Sequence, residues 1–473
     1  MTTRRKDKDM TEGPTAKLLI QFSVPLLLGY LFQQMYNTVD TLVVGNFVGK
    51  EALAAVGGTT PIVNTLIGLF MGFAMGANVL IAQYYGAHDE KSVHDVVHTT
   101  ILMSLLLSVV LTAVGELTVP YMLRLMNTPE DVSQQASTYL YIYFTGIPGL
   151  LLYNMGSGIL RAVGDSKRPL YFLIFSAVVD TVLDFLFVIN CHMGVAGVAW
   201  STVIGEVLSA VLILFVLSRT SGPYRLYWAH LKFNIPILKS IVEIGLPSSI
   251  QQGVTAFSNV FVQGYINYFG SACMAGYSAY SKVDAIALLP MQSIAMGNTT
   301  FVGQNLGAGK IKRAKKGVTI SFLLSIASTF VIIIPLIIFA DPIISVFNNE
   351  ADVIYYGALY MRFTSPFYLL CCVNQIYAGA LRGAGDTRAP MYIMLGSFVV
   401  FRQIYLYVVS HVFANNFMPV LFAYPAGWIV CGAFIYIYFR RADWEHRQFL
   451  FVKENEGCGN QPKECDQQQS ITR

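Results

Sequence analysis

The chain has 473 residues, 55% of them hydrophobic and only 12% charged, with a mean hydropathy of +0.54. Soluble domains carry roughly 25% charged residues, so this composition excludes a water-soluble surface. The net charge of +4 sits in short loops, and with no nucleic-acid motif present it reports membrane topology, not a nucleic-acid partner.

A transmembrane helix needs about 20 mostly apolar residues. Hydropathy windows predict helices over 16–42, 52–80, 94–119, 134–158, 169–190 and 195–218, then over 238–263, 272–300, 316–340, 353–379, 390–413 and 418–440. That is an all-α membrane protein with twelve spans. Residues 1–15 read as a polar N-terminal segment, 16–218 as a first lobe, 219–237 as a linker, 238–440 as a second lobe, and 441–473, rich in Gln, Glu and Gly, as a disordered tail.

The first span carries internal Gln, Asn and Asp and lacks a small-residue cleavage site, so it reads as an uncleaved helix. Arg4-Arg5 followed by Lys6-Asp7-Lys8 reads as a basic end, not a twin-arginine signal. Lys and Arg set topology. Arg4, Arg5, Lys6 and Lys8 share one side with Arg161, Lys167, Arg168, Arg219, Arg225, Lys232, the run Lys310 to Lys316, Arg382, Arg388, Arg440, Arg441 and Arg447. The other side offers Lys50 and Arg124. Both termini are therefore expected in the cytoplasm.

Seven cysteines (Cys191, Cys273, Cys371, Cys372, Cys431, Cys458 and Cys465) are scattered along the chain and read as small apolar fillers, not disulfides or a metal site.

An internal repeat sets the architecture. Leu160-Arg161-Ala162-Val163-Gly164-Asp165-Ser166, with Pro169 and Tyr171 following, matches Leu381-Arg382-Gly383-Ala384-Gly385-Asp386-Thr387, with Pro390 and Tyr392, at an offset of 221. Gln83, Gly86 and Ala87 match Gln304, Gly307 and Ala308 at the same offset, and Pro25 matches Pro247 at 222. Six spans per repeat is an even number, so the two six-helix bundles keep one orientation and are related by a pseudo-two-fold axis along the membrane normal. The substrate path is expected between them. The Gly-Asp loops read as helix caps; Arg161 and Arg382 are expected to brace helix ends or gate the inner opening, outside the substrate site.

The doubled Leu-Arg-x-x-Gly-Asp-[Ser/Thr] loop, the stretch Tyr36-Asn37-Thr38-Val39-Asp40-Thr41 and the stretch Gly194-Val195-Ala196-Gly197-Val198-Ala199 together resemble the multidrug and toxic compound extrusion (MATE) family, over about residues 15–440. The resemblance implies two bundles facing a central cavity, alternating access, and export of amphiphilic, often cationic compounds in exchange for inward H+ or Na+. It implies a multi-pass protein of the bacterial inner membrane, working as a monomer among lipids on small-molecule substrates, with no cofactor beyond the coupling ion.

Ionisable groups deep in a span are costly and default to function. On the first helix Gln33, Asn37 and Asp40 form a polar stripe expected to face the interior. Gln34, Tyr36, Asn37 and Asp40 are the expected substrate contacts. On the fifth helix Asp180 and Asp184 are an i, i+4 pair on one face, and two buried acids that close resist joint ionisation. A carboxyl able to take up and release a proton is what proton coupling requires. Asn154 and Thr202 offer oxygen ligands nearby. The DinF-like branch of the family places its cation-coupling cluster at positions matching Asp40, Asn154, Asp184 and Thr202. This chain departs from it at Asp180, where Asn is usual, and at Phe185, where Pro is common, which leaves both H+ and a Na+ held by Asp184, Asn154, Asp180 and Thr202 open, with H+ favoured. Pro25, which frees a backbone carbonyl, is the expected hinge.

At offset 221 the second lobe has Phe261, Phe401 and Tyr405 in place of Asp40, Asp180 and Asp184, and Gln251-Gln252 and Cys371-Cys372 where the NorM-like branch carries acids. It holds instead Lys282, Asp284, Arg362 and Arg402; Lys282, Asp284 and Arg402 are expected chiefly to form interhelical ion pairs, with an anionic-substrate path the alternative. His94 and His98, near His88 and Asp95, have a metal-capable spacing but read as a solvated helix start. The rival readings are a lipid-linked saccharide flippase of the same superfamily and a lipid-modifying membrane enzyme; the latter needs a paired acidic or His motif binding metal-phosphate at a membrane surface, whereas the acids here are mid-span and lack such spacing.

Overall fold

The computed structural model describes residues 9–126, 128–412 and 417–445. Arg4, Arg5, Lys6, Lys8, Arg447, Cys458, Cys465 and the expected tail beyond 445 lie outside the described residues. The chain forms α1 (Thr15–Val43), α2 (Lys50–Gly86), α3 (Glu90–Leu125), α4 (Glu130–Ala162), α5 (Lys167–Phe185) and α6 (Val195–Arg219). The second half forms α7 (Ile235–Asn267), α8 (Ser271–Ala287 then Leu289–Gly307), α9 (Ile311–Ile338), α10 (Ala351–Thr364 then Tyr368–Gly383), α11 (Arg388–Leu395 then Arg402–Val412) and α12 (Phe417–Leu421 then Ala423–Arg441). Among the described residues there is no strand.

Among the described residues, nine of these spans are long and apolar enough to cross a membrane by length and composition alone. The three that fall short are α4, α7 and α10, and each contributes polar residues to the interior, among them Asn154, Gln251 and Gln375. Their water-like content is turned inward, where a bundle tolerates it.

The helices run past the apolar windows predicted for them. α2 continues to Gly86, and α3 begins at Glu90, four residues before its window, because Asp89 caps it by accepting a hydrogen bond from the Ser92 N–H at 3.0 Å. Breaks were not anticipated in α8 or α10. Pro290 opens the second segment of α8, and a 3-10 turn Ser365–Phe367 holding Pro366 divides α10; proline removes a helix N–H and crowds the preceding turn. A short helix, Ala340–Ser345, also lies between α9 and α10.

The two six-helix halves meet along a seam made by α1, α2, α7 and the second segment of α8. This seam is tightest at the end where both described chain ends lie. There the Met10 N–H donates to Gln304 Oε1 at 2.9 Å, and Lys315 pairs with Glu445 at 2.6 Å. A Cβ built on Gly86 would sit 1.9 Å from the Gln304 carbonyl oxygen, and one on Gly307 would sit 1.9 Å from that of Gln83. The repeated glycines are thus what lets the backbones of α2 and α8 touch. Toward the opposite end Gly57, Gly58, Gly253 and Gly264 meet nothing within 4 Å.

Candidate functional site

Between the halves lies a cavity of about 490 Å³, within the size range of small-molecule sites. α1 contributes Pro25, Tyr30, Gln33 and Tyr36; α2, Met71 and Met75; α4, Tyr153, Asn154 and Arg161; α5, Asp180; α6, Thr202 and Glu206. From the second half come Gln251, Gln252, Gln292, Met296, Gln375 and Arg382. The wall is apolar and thioether surface carrying a belt of amides, with four charged residues.

The acids expected to act together are together. Carboxylate oxygens of Asp40, Asp180 and Asp184 all lie within 4.8 Å of one another, with Asp180 3% and Asp184 0% exposed. The i, i+4 spacing puts the two α5 carboxylates on one face, and Asp40 meets them from α1. Ser201 Oγ donates to Asp184 Oδ1. Both oxygens of Asp180, Oδ2 of Asp184 and Oδ1 of Asp40 are buried with no hydrogen-bond partner. No cationic side chain forms an ion pair with any of them among the described residues, so burial and mutual repulsion oppose ionising all three at once unless a cation arrives. Of the three, Asp180 lines the cavity; Asp40 and Asp184 stand behind it. Gly205 on α6 makes room for it, since a Cβ there would come to 3.3 Å from Asp180 Cβ.

Asn154 and Thr202 line the same cavity, each with its side chain tied to its own helix: Asn154 Nδ2 donates to the Leu150 carbonyl at 2.8 Å and Thr202 Oγ1 to that of Val198 at 3.0 Å. Tyr36 is on the wall, and Pro25 is buried within α1 and on the wall as well. Gln34 and Asn37, expected to contact substrate, are not on it, and Asn37 is exposed. With about 100° of turn per residue, Gln33, Asp40 and Tyr36 span an arc of roughly 60°, and Asn37 and Gln34 fall about 40° and 100° outside it.

Arg161 and Arg382 correct the sequence reading. Both line the central cavity instead of standing apart from it. Cα–Cβ bonds tilt toward a helix N-terminus, so an arginine in the last turn of α4 or α10 leans back into the bundle. Glu206, near the middle of α6, is a further cavity acid that the sequence reading passed over. A lone carboxylate in an otherwise apolar 25-residue span was signal enough.

Among the described residues the ion pairs expected of Lys282, Asp284 and Arg402 do not form. Asp284 accepts from Tyr280 Oη at 3.0 Å and from Tyr368 Oη. Arg402, 3% exposed, donates to Asn259 Oδ1 at 2.7 Å and Ser258 Oγ at 3.1 Å, and lies 5.0 Å from the centre of the Tyr424 ring. Lys282 lies 5.9 Å from the Phe347 ring centre. None of the three lines the cavity, and Arg362 pairs with Asp341 near the surface. Aromatic faces and hydroxyls, abundant in this half, satisfy these charges locally. The described cysteines are all free, with Cys273, Cys371, Cys372 and Cys431 buried.

A family model described as MatE matches the chain twice in tandem, over residues 25–186 and 247–408. The chain is 30% identical to a probable multidrug resistance protein, YoeA, of Bacillus subtilis, over 90% of this chain and 94% of that one. It is 29% identical to a second from the same organism, YpnP, over 95% and 100%. Its fold matches that of a MOP superfamily transporter from Pyrococcus furiosus with a TM-score of 0.87, at 21% identity, over 92% and 97% of the two chains. The chain belongs to the MATE family of transporters: it is a multi-pass integral membrane protein of two six-helix bundles and not an enzyme.

Proposed function

We propose that this protein exports amphiphilic, cationic small molecules across a bacterial inner membrane in exchange for H+, with Na+ the less favoured coupling ion. The observation that carries this reading is the carboxylate cluster, three acids with oxygens within 4.8 Å of one another and one of them on the cavity wall. Such a cluster attracts a cation when ionised and releases it when protonated, which is the exchange that antiport needs. The names of the Bacillus relatives, probable multidrug resistance proteins, agree with it.

In this reading residues 16–218 and 238–440 are the moving lobes and 219–237 the linker. The basic loops put both termini in the cytoplasm, so the sealed end is the inner one and the conformation is open to the outside. A cationic substrate is held at Asp180 and Glu206 on the wall, with Asp40 and Asp184 behind. Protons entering from outside neutralise the cluster and expel it. Pro25, whose ring leaves a backbone carbonyl of α1 free, is the hinge that turns this charge change into a bend. Asn154 and Thr202, on the same wall, would be the further oxygen donors if Na+ replaces the proton. The protein works as a monomer surrounded by lipid.

The test is uptake of a fluorescent cation into proteoliposomes under separately imposed H+ and Na+ gradients. A proton gradient alone is expected to drive exchange, and Asp40→Asn to reduce it to the level of protein-free liposomes while inserting normally. Wild-type exchange by that variant, or exchange that needs Na+ and ignores protons, would overturn the coupling proposed here.

A further inference from the structure

The cavity has a second charged pole. Its four charged residues are Asp180 and Glu206 at mid-depth and Arg161 and Arg382, which enter from the last turns of α4 and α10 at the sealed end. The arginines are the paired members of the doubled motif, one from each half, so the seam brings repeat-related guanidiniums to a single chamber.

Neither has a carboxylate partner among the described residues. The Asp that follows each in its motif goes elsewhere: Asp165 pairs with Arg168 at 3.1 Å, and Asp386 accepts from Tyr438 Oη at 2.7 Å. Arg161 donates through Nε to the Ser157 carbonyl at 3.2 Å, and Arg382 through Nη2 to Gln251 Oε1 at 3.3 Å and to Met394 Sδ at 3.8 Å. A guanidinium has five N–H donors, so most of this capacity is unused by the protein. Two like charges facing one cavity with low-dielectric walls focus a positive potential there. The planar N–H fork matches carboxylate and phosphate oxygens in bidentate fashion. Arg161 thus commits one N–H to a carbonyl of its own helix end, and Arg382 commits Nη2 to a side-chain amide and a thioether; the remaining N–H groups of both are left on the cavity side.

We propose that Arg161 and Arg382 form a binding site for an oxyanion, a carboxylate or phosphate, of the transported molecule, making this a carrier of amphoteric amphiphiles held by their cationic end at Asp180 and Glu206 and by their anionic end at the arginine pair. This rests on the central cavity being the transport site. Because the two arginines belong to different halves, the anion bridges the seam when the inner end is closed.

The test uses purified full-length protein and two dyes, rhodamine B and its ethyl ester, which share one cationic xanthylium system and differ in whether the benzoate is ionised. The readout is the ratio of their affinities by fluorescence anisotropy. In the wild type the free acid is expected to bind about tenfold or more tighter than the ester, the scale of one charge-assisted hydrogen bond. Arg161→Gln and Arg382→Gln are each expected to bring that ratio close to one, and Arg161→Lys to leave it between. Ester binding by each variant shows that it is folded. Equal affinity for acid and ester in the wild type overturns the proposal, as does an unchanged ratio in both Gln variants, which would return the arginines to bracing. Wild-type protein that neither binds nor transports the ester sinks the cavity reading of the preceding subsection and this one with it; an ester that is transported while the acid gains nothing sinks this one alone.

Discussion

Gln83 and Gln304, 221 positions apart, reach across the seam in opposite directions to carbonyls that are themselves 221 positions apart: Gln83 Nε2 donates to the Gly383 oxygen at 2.9 Å and Gln304 Nε2 to the Ala162 oxygen at 2.6 Å. The duplication thus closes one end of the molecule with a two-fold clasp, and Gly86 and Gly307 beside it let the backbones touch. Losing one such bond costs about 1 kcal/mol, roughly fivefold in a two-state ratio. Gln83→Ala and Gln304→Ala are therefore each expected to raise the population open at this end about fivefold. Gly86→Ala, whose methyl overlaps the Gln304 carbonyl, is expected to hold that end open almost fully and to lower transport at least tenfold. Spin labels on the ends of α4 and α10 read the distance directly; a closed clasp in Gly86→Ala would refute the account.

Glu206 lines the cavity, and among the described residues no hydrogen bond or ion pair reaches it. A carboxylate so placed is free to face a cationic ligand. Glu206→Gln keeps the shape and removes the charge, and is expected to weaken binding of a monocationic dye about tenfold, the worth of one charge-assisted contact, and that of a neutral analogue about twofold or less. Equal loss for both dyes would assign Glu206 to packing.

The duplication, the twelve spans and the acids of α1 and α5 were legible because each is a property of spacing along the chain. Two features were misread for one physical reason. A loop motif such as Leu-Arg-x-x-Gly-Asp satisfies capping chemistry on its face, and only the backward tilt of side chains on a helix tells that Arg161 and Arg382 turn into the bundle. Asn37 shows the converse: a polar stripe counted by i, i+4 and i+7 is wider than the arc the cavity uses. The fate of Asp284 and Arg402 was not legible at all, since which tyrosine hydroxyl or ring meets a buried charge is set by packing between distant helices.

Asp284 and Asp40 are both acids deep in the bundle, but their surroundings differ in kind. Asp284 is held by Tyr280 and Tyr368 and stands away from the cavity, whereas Asp40 has a buried oxygen without a partner. Removing the acceptor takes a bond from each hydroxyl and leaves Tyr280 and Tyr368 the long 3.4 Å contact with each other in its place, at a cost of about 1 kcal/mol or more. Asp284→Ala is expected to lower the thermal midpoint in detergent while the folded fraction still exchanges protons for substrate. Asp40→Asn is expected to do the reverse, abolishing exchange with the midpoint unchanged. The pair of measurements separates a structural acid from a coupling one, and coupling lost in Asp284→Ala at unchanged stability would contradict the assignment.

His98 illustrates how hydrogen bonds alone fix a protonation state. Its Nε2 receives the backbone N–H of Tyr227 at 3.0 Å, and since an amide can only donate, that nitrogen must carry a lone pair. Its Nδ1, 2.7 Å from the His94 carbonyl oxygen, must then carry the proton. Both ring nitrogens are occupied, so the ring is neutral and unavailable to a metal, although His94 stacks on it at 3.9 Å and His230 lies 6.0 Å from His94. What His98 does is pin the segment joining the halves, through Tyr227, to α3. Zn2+ is accordingly expected to leave the melting temperature unchanged. His98→Ala, by freeing the Tyr227 N–H, is expected to raise proteolysis within residues 219–237 several-fold; a Zn2+-dependent rise in stability that disappears in this variant would show instead that the histidines bind metal.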